Sequence, residues 1–188
     1  MFQDICFPKN NEKEFVEVAK ALSTKALIFV YPFKDMKTFE NKKKELTEIK
    51  EIRVDIGLLA DEKSINKIQL ISDYIFISTA TKSLIENKKS YVLFDFEKQD
   101  KNDFLHHRNS GLNHVMCQLM KEKEKILGIS FSSLLNSKNK DVMLGRMQQN
   151  ARFSKKYKLK TVFASFAQSP YELRAEHEII SFQKILGV

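Results

Sequence analysis

Three aspartates of the chain stand where side chains could do acid–base or metal chemistry. Asp4, Asp55 and Asp95 lie within or at the ends of predicted β-strands, and strand ends carry the active residues of many α/β proteins. A hydrolytic metal centre also needs convergent histidines. The chain has four, none on the first predicted strand and none in a His-x-His or His-x-x-x-His spacing: His106, His107, His114 and His177. We therefore interpret the aspartates as hydrogen-bonded structural acids, and we expect neither a metal site nor a catalytic residue.

Nucleophilic catalysis is also disfavoured. The chain lacks a Gly-x-Ser-x-Gly elbow, and Cys6 and Cys117 are distant in sequence with no Cys-x-x-Cys motif. We expect both cysteines to be reduced thiols in a core, as is usual in the cytosol.

A different kind of site is indicated by residues 104–114, which read FLHHRNSGLNH. The segment joins three histidines and Arg108 to the predicted start of a helix, whose free N–H groups attract anions. It fits two interpretations, a phosphate-binding helix start and a simple capped helix, and the residues alone do not separate them.

The predicted helix 140–157 has two unlike sides at a helical period. One side predicts packing against a sheet: Leu144, Met147, Ala151 and Ser154. The opposite side is polar and cationic: Arg146, Gln149, Arg152 and Lys156. Between Lys138 and Lys160 the only acid is Asp141, so the helix lacks the pairs of opposite charge that accompany ordinary solvated helices. We interpret the cationic side as a contact surface for a polyanion, whose phosphates would be bound without reading sequence.

The charge distribution agrees with this interpretation. Residues 1–100 carry 17 lysines and arginines against 17 acids, whereas residues 101–188 carry 15 against 7. The whole formal net charge of +8 therefore lies in the C-terminal part. Such an asymmetry indicates a partner rather than a fold.

The elements that must position these residues are predicted strands and helices that alternate along the chain. Short runs rich in Ile, Val, Phe and Tyr predict strands at 2–7, 26–31, 52–59, 74–78, 91–96, 126–130 and 161–165. Amphipathic segments predict helices at 12–22, 35–49, 64–71, 79–86, 112–124, 140–157 and 172–186. Residues 169–172 read SPYE, the form of a capping box with proline at the first helical position, so Arg174 is predicted in the first turns of the last helix.

Strict alternation of seven βα units predicts a single α/β domain over residues 1–188, and we favour a closed or nearly closed barrel. Residues 7–10 read FPKN rather than a glycine-rich phosphate loop, which disfavours a dinucleotide fold. No apolar run approaches the length of a membrane span, and the N-terminus does not resemble a secretory signal. We expect a cytoplasmic protein.

Three stretches taken together resemble the RNase P protein component 3 family of archaea and eukaryotes, whose barrel is related to polymerase-and-histidinol-phosphatase hydrolases. They are RNSGLNHV at 108–115, then ISFSSLLN at 129–136 leading into MQQN at 147–150 and KKYK at 155–158, and finally ASFAQSPYELR at 164–174 with ILG at 185–187. Before residue 105 only the βα rhythm and an Asp-Ile-Cys start agree with the family.

The resemblance implies a distorted TIM-like barrel that is a non-catalytic subunit of ribonuclease P. Such a subunit binds the catalytic domain of the RNase P RNA in an enzyme that removes 5′ leaders from precursor tRNA. The implied partners are that RNA, precursor tRNA held through it, and a small α/β protein in a heterodimer or heterotetramer. No cofactor is implied in the protein, and magnesium is expected at the RNA active site.

The resemblance also assigns residues to RNA contact. Basic family positions are matched by Arg108, His114, Lys156, Lys158 and Arg174, and the helix pattern adds Arg146 and Arg152. Two positions depart from the family: Phe166 stands where a glycine is usual, which predicts a blocked backbone approach, and Glu176 places an acid near Arg174.

Two other functions are compatible with the residues. One is a metal-dependent phosphoesterase on the same barrel, for which the only candidate ligands are Asp4, Asp55, Asp95 and His114. The other is a protein-binding barrel whose basic face meets an acidic protein.

Overall fold

A computed structural model describes residues 2–61, 63–68, 71–72, 74–78, 81–86 and 91–188. The described residues contain seven strands: β1 (Asp4–Cys6), β2 (Ala26–Pro32), β3 (Arg53–Leu59), β4 (Ile75–Ser78), β5 (Val92–Phe94), β6 (Ile126–Ser130) and β7 (Lys160–Ala164). They also contain eight α-helices: α1 (Glu12–Ala21), α2 (Met36–Thr47), α3 (Ile65–Ile68), α4 (Lys82–Glu86), α5 (His114–Glu122), α6 (Phe131–Leu135), α7 (Lys140–Tyr157) and α8 (Glu176–Leu186).

The strands form one parallel sheet in sequence order from β1 to β7. The sheet curls until the chain after β7 meets β1. The Phe7 N–H donates to the Ala167 carbonyl (2.8 Å), and the Ala167 N–H donates to the Ile5 carbonyl (2.9 Å). Parallel neighbours need crossover connections, which place the helices outside the sheet. The predicted barrel of seven βα units is confirmed.

Aromatic side chains fill the inside of the barrel. The Phe166 ring is 4.9 Å from that of Phe94 and 6.3 Å from that of Phe76, and all three side chains are buried. Phe166 has a φ of +51°, a conformation that residues other than glycine rarely adopt. Its ring fits because residue 128 is a glycine, where a Cβ atom would lie 2.8 Å from the ring. The Phe166 side chain therefore acts as an internal plug.

The outer face of the sheet is covered by the helices. Helix α7 contributes Met147 and Ala151 to the largest apolar cluster, which also contains Leu127 and Ile129 of β6. None of the described helices is long and apolar enough to cross a membrane.

The element boundaries agree with the sequence predictions at the strands, whose ends differ by at most two residues. The predicted helices 64–71 and 79–86 correspond to the short α3 and α4, and residues 69, 70, 79 and 80 of these predictions lie outside the described residues. Helix α6 was not predicted, because five residues directly after a strand are too few to show a helical period.

The predicted helix 172–186 begins later, at Glu176, so that prediction is wrong at its start. Residues Pro170–Glu172 form a 3₁₀ turn, and the backbone at Leu173 and Ala175 is extended. The Arg174 N–H donates to the Ser165 hydroxyl (2.9 Å) rather than to a helical carbonyl. This bond to the end of β7 delays the helix.

The predicted capping box at residues 169–172 is half formed: the Ser169 side chain caps nothing, whereas the Ser169 backbone N–H donates to the Glu172 carboxylate. The Glu172 carboxylate accepts hydrogen bonds from the Gln168 N–H (2.7 Å) and from the Asn136 amide (3.0 Å). The acid thus also joins the loop after β7 to the end of α6.

Candidate nucleic-acid interface

Apart from Lys140 in its first turn, the exposed cations of α7 lie in its last turns. Arg152, Lys155 and Lys156 are exposed, and Lys158 ends the helix in a left-handed conformation with a φ of +55°. A helix C-terminus favours cations because its unpaired carbonyls carry partial negative charge. The packing side is confirmed, with Leu144 half-buried and three residues buried: Met147, Ala151 and Ser154.

Arg146 lies on the predicted cationic side of α7 but is covered there, so it does not belong to the exposed surface that the helix pattern predicts. Its side chain is buried, with 6% of the residue exposed. The Nε donates to Asp103 Oδ1 (2.7 Å), and the two terminal nitrogens donate to the carbonyls of residues 97, 99 and 101 at 2.6 to 3.1 Å. The Arg146 guanidinium thus binds the 97–103 loop to α7. This loop covers Arg146 on the polar side of the helix.

Asp103 joins Arg146 to Arg108. Its Oδ2 accepts from Arg108 Nη1 (3.0 Å), and its Oδ1 accepts from the Asn109 N–H (3.0 Å) as well as from Arg146. Partial burial raises the pKa of Asp103, but the hydrogen bonds from Arg146, Asn109 and Arg108 outweigh it, and the pKa lies below its ordinary value. The carboxylate therefore stays charged and holds Arg108 in place.

Gln149 and Gly145 also hold Arg108 against α7. The Gln149 amide accepts from the Arg108 N–H (3.1 Å) and donates to the Arg108 carbonyl (2.9 Å). A methyl group at Gly145 would overlap the Arg108 guanidinium, so this glycine lets the side chain cross the helix. Because Arg152 is one turn beyond Gln149, the structure brings Arg108 and Arg152 to the same side of α7.

Arg174 lies elsewhere. It follows β7, at the C-terminal end of the barrel, whereas Lys158 precedes β7 at the opposite end. Its guanidinium is 5.1 Å from the Phe131 ring and donates to the carbonyls of Tyr171 (3.0 Å) and Leu173 (2.7 Å). The predicted contact residues therefore divide between two ends of the molecule.

His114 is the first residue of α5 and is exposed. The Asn113 side chain accepts from the Met116 N–H (2.9 Å), so this helix start is capped by the protein itself. Of the two interpretations left open by the sequence, the geometry shows the capped helix. His106 and His107 lie in the exposed 104–107 turn.

The aspartates singled out by the sequence are hydrogen-bonded in separate places. Asp4 Oδ1 accepts from the N–H groups of Ile5 (2.9 Å) and Ser165 (2.6 Å). Burial raises the pKa of Asp4 to about 6 although these bonds oppose it. Ile5 lies in the cluster inside the barrel, so Asp4, its neighbour on the strand, points outward.

Asp55 points the other way. It pairs across the sheet with Ile28, which lies inside the barrel, so both side chains share that face. Its carboxylate accepts from the Gln3 amide (2.6 Å) and from Arg53 (2.9 Å). Asp4 and Asp55 therefore do not converge.

Asp95 lies at the C-terminal end of β5, the end that carries active sites in barrel enzymes. A cleft of about 310 Å³ opens here. The carboxylate accepts from the Ser133 hydroxyl (2.6 Å) and from Lys98 (2.7 Å), and Ser133 is 2.8 Å from the Ser130 hydroxyl. Among the described residues, no three His, Cys, Asp or Glu side chains form a group that could hold a metal ion.

Glu97 ties the start of the 97–103 loop to the middle of α7. Its buried carboxyl accepts from the Asn150 amide (2.9 Å), which also donates to the Ser110 carbonyl (2.9 Å). Burial raises the pKa of Glu97 to about 7, against the opposing hydrogen bond from Asn150. The neutral form of the acid is thus favoured by the fold.

We predict that Glu97→Gln gains stability relative to the wild type as the pH rises from about 5 to about 8. A raised pKa gives stability that is complete below the ordinary value of 4.5 and is lost as the pH passes about 7. Glutamine keeps the acceptor for Asn150 without a charge, so the variant should exceed the wild type at high pH by about 3 kcal/mol in urea unfolding. Glu51→Gln, at an exposed acid, is the control, and parallel pH profiles for wild type and Glu97→Gln would refute the prediction.

Sequence reasoning missed the residues that position Arg108. The sequence pattern does not mark Asp103 or Gly145, and it places Gln149 on the polar side of the helix. An acid five positions before an arginine was the available indication for Asp103, but nothing along the chain places residue 145 beside residue 108.

No family model matches the chain. It is 32% identical over 92 residues to Ribonuclease P protein component 3 of Methanosarcina mazei, a match covering 46% of this chain and 38% of that protein. The proteins of the same name from Methanosarcina acetivorans and Methanococcus maripaludis are 29% identical over 92 residues and 31% over 80. The chain is similar to part of ribonuclease P protein component 3. The resemblance found in the sequence is thereby confirmed, over less than two fifths of the length of these component 3 proteins.

The barrel is shared with a solved structure. A chain in the cryo-EM structure of archaeal ribonuclease P with mature tRNA superposes with a TM-score of 0.78, covering 98% of this chain and 82% of that one. The two sequences are 17% identical. The similarity establishes the common fold.

Proposed function

We propose that this chain is a non-catalytic subunit of ribonuclease P that binds the catalytic domain of the RNase P RNA and supports removal of 5′ leaders from precursor tRNA. The observation that carries the proposal is the similarity to three proteins named ribonuclease P protein component 3. The excess positive charge of residues 101–188 supports an RNA partner.

The proposal gives the cleavage step to the RNA and its magnesium, and gives the protein a binding role. The separate hydrogen bonds of Asp4, Asp55 and Asp95 support this division, because each carboxylate is already engaged by the protein. A small α/β protein would be the protein partner, precursor tRNA would be held through the RNA, and the assembly would work in the cytoplasm.

The proposed contact surface is the C-terminal part of α7 with the loop that crosses it. Arg152, Lys156 and Lys158 would bind phosphates at one end, and Arg108 and His114 would extend the surface. Arg174 would make a second, separate contact. Arg146 supports the surface from below through Asp103 rather than touching the RNA.

We predict that the double variant Arg152→Glu/Lys156→Glu binds RNase P RNA much more weakly than the wild type. Each phosphate contact contributes about 0.7 to 0.9 to the slope of log K against log salt, so losing two should reduce the slope by roughly 1.4 to 1.8. Filter binding at several salt concentrations measures both quantities.

The matched control is Lys43→Glu/Lys44→Glu, which makes the same charge change on exposed residues near the end of α2. It should bind almost as the wild type does. If both double variants lost RNA affinity equally, the loss would reflect net charge alone, and the proposed contact surface would be contradicted. Wild-type binding that does not change with salt would contradict the proposed RNA-binding role itself.

A further inference from the structure

An aromatic pair is exposed at the tip of the loop that crosses α7. The rings of Phe104 and His107 are stacked, with centroids 4.5 Å apart and planes at 18°. The Phe104 N–H donates to the His107 carbonyl (2.9 Å), which closes the turn between them. Phe104 remains 56% exposed and Leu105 91% exposed. A large aromatic ring is thus held at the surface in a defined orientation.

The turn is anchored on both sides. Asp103, just before Phe104, accepts from the Asn109 N–H (3.0 Å) and from Arg146 (2.7 Å). On the far side, Gln149 binds both backbone groups of Arg108. The ring pair is therefore fixed to α7, and it would lose little conformational freedom when a ligand binds.

Two exposed cations flank the pair along the chain. Arg108 follows His107 directly with its side chain 47% exposed, and Lys101 is also exposed. The nearest acid, Asp103, is neutralised by its two arginine partners. An open aromatic face beside positive charge is the combination with which proteins bind unpaired nucleotides, the ring stacking on a base and the cation binding its phosphate.

We propose that the Phe104–His107 pair is a stacking platform for an unpaired base of an RNA, with Arg108 binding the adjoining phosphate. This inference rests on the proposed RNA-binding function and adds the kind of nucleotide recognised. A protein partner would use the exposed apolar surface as a whole, including Leu105, whereas a base needs the aromatic ring. The two kinds of partner therefore predict different effects of substitution at neighbouring residues.

The test compares the full-length wild type with Phe104→Ala, Phe104→Tyr and Leu105→Ser, all at exposed positions. The probes are a short single-stranded RNA carrying one fluorescent adenine analogue and a blunt RNA duplex. Phe104→Ala should bind the single strand about 5- to 100-fold more weakly and lose the quenching that stacking causes. Its salt slope and its affinity for the duplex should stay unchanged, because no cation is removed and paired bases are not available to stack.

The remaining variants distinguish stacking on an RNA base from binding through the exposed apolar surface. Phe104→Tyr keeps the ring and should bind like the wild type, and so should Leu105→Ser. If Phe104→Ala binds the single strand as tightly as the wild type, or if Leu105→Ser is weakened equally, the platform is refuted while the proposed function stands. If the wild type itself binds neither these probes nor RNase P RNA, both the platform and the proposed function are refuted.

Discussion

Phe166→Ala is expected to lower the free energy of unfolding by about 3 to 5 kcal/mol. Phe166 is 1% exposed and its ring contacts those of Phe94, Phe76 and Phe7, so truncation would empty the middle of the barrel. The neighbouring strands are joined in a closed array and can move little to fill the space. Urea unfolding measures the loss, and Phe104→Ala, at an exposed phenylalanine, is the matched control.

The left-handed backbone of Phe166 makes a second variant informative. Glycine is usually less stabilising than alanine, but at a φ of +51° it avoids a strain of about 1 to 2 kcal/mol. Phe166→Gly should therefore be at least as stable as Phe166→Ala. A loss in Phe166→Ala no larger than that in Phe104→Ala would contradict the role of Phe166 as the internal plug.

Arg146→Met is expected to destabilise the protein by about 3 kcal/mol or more, because it removes a buried guanidinium that donates four hydrogen bonds to Asp103 and the 97–103 loop. The variant would leave Asp103 with a weaker set of donors and would take one hydrogen bond from each of three loop carbonyls, of which that of Gln99 has no other donor among the hydrogen bonds of the described residues. Arg146→Lys should recover only part of the stability, because an ammonium group cannot reproduce the planar fork. Thermal unfolding measures the effect, and proteolysis between residues 97 and 110 should become faster.

Arg152→Met is the control, since it makes the same substitution at an exposed position of the same helix. It should change stability by no more than about 0.5 kcal/mol. If Arg146→Met and Arg152→Met were equally stable, the proposed anchoring of the loop by Arg146 would be wrong.

Much of the fold could be predicted from the sequence because strands buried on both faces appear as short apolar runs. The bounds of α7 were predicted correctly at both ends, since its apolar residues keep one period throughout. For the surface of α7, the packing side was predicted correctly, but the burial of Arg146 on the opposite side was not. A helical period shows which residues face the sheet, but the 97–103 loop that covers Arg146 comes from another part of the chain.

The last helix shows a different limit. The SPYE segment carries the residue types of a capping box, and proline does begin a short 3₁₀ turn. The bond from the Arg174 N–H to Ser165, which holds the next residues extended, joins positions nine apart. Sequence signals for a helix start depend on residues within about one turn of each other, and this bond joins residues farther apart. The start of α8 was therefore predicted too early.

The most direct test of the central claim is to purify the tagged full-length chain from its native cells and assay the eluate for removal of 5′ leaders from precursor tRNA. We predict that the eluate contains RNase P RNA and cleaves the precursor in magnesium, and that nuclease digestion of the RNA abolishes cleavage. An eluate without such RNA or activity would contradict the proposed role. Cleavage that survives removal of the RNA would instead give the catalysis to the protein.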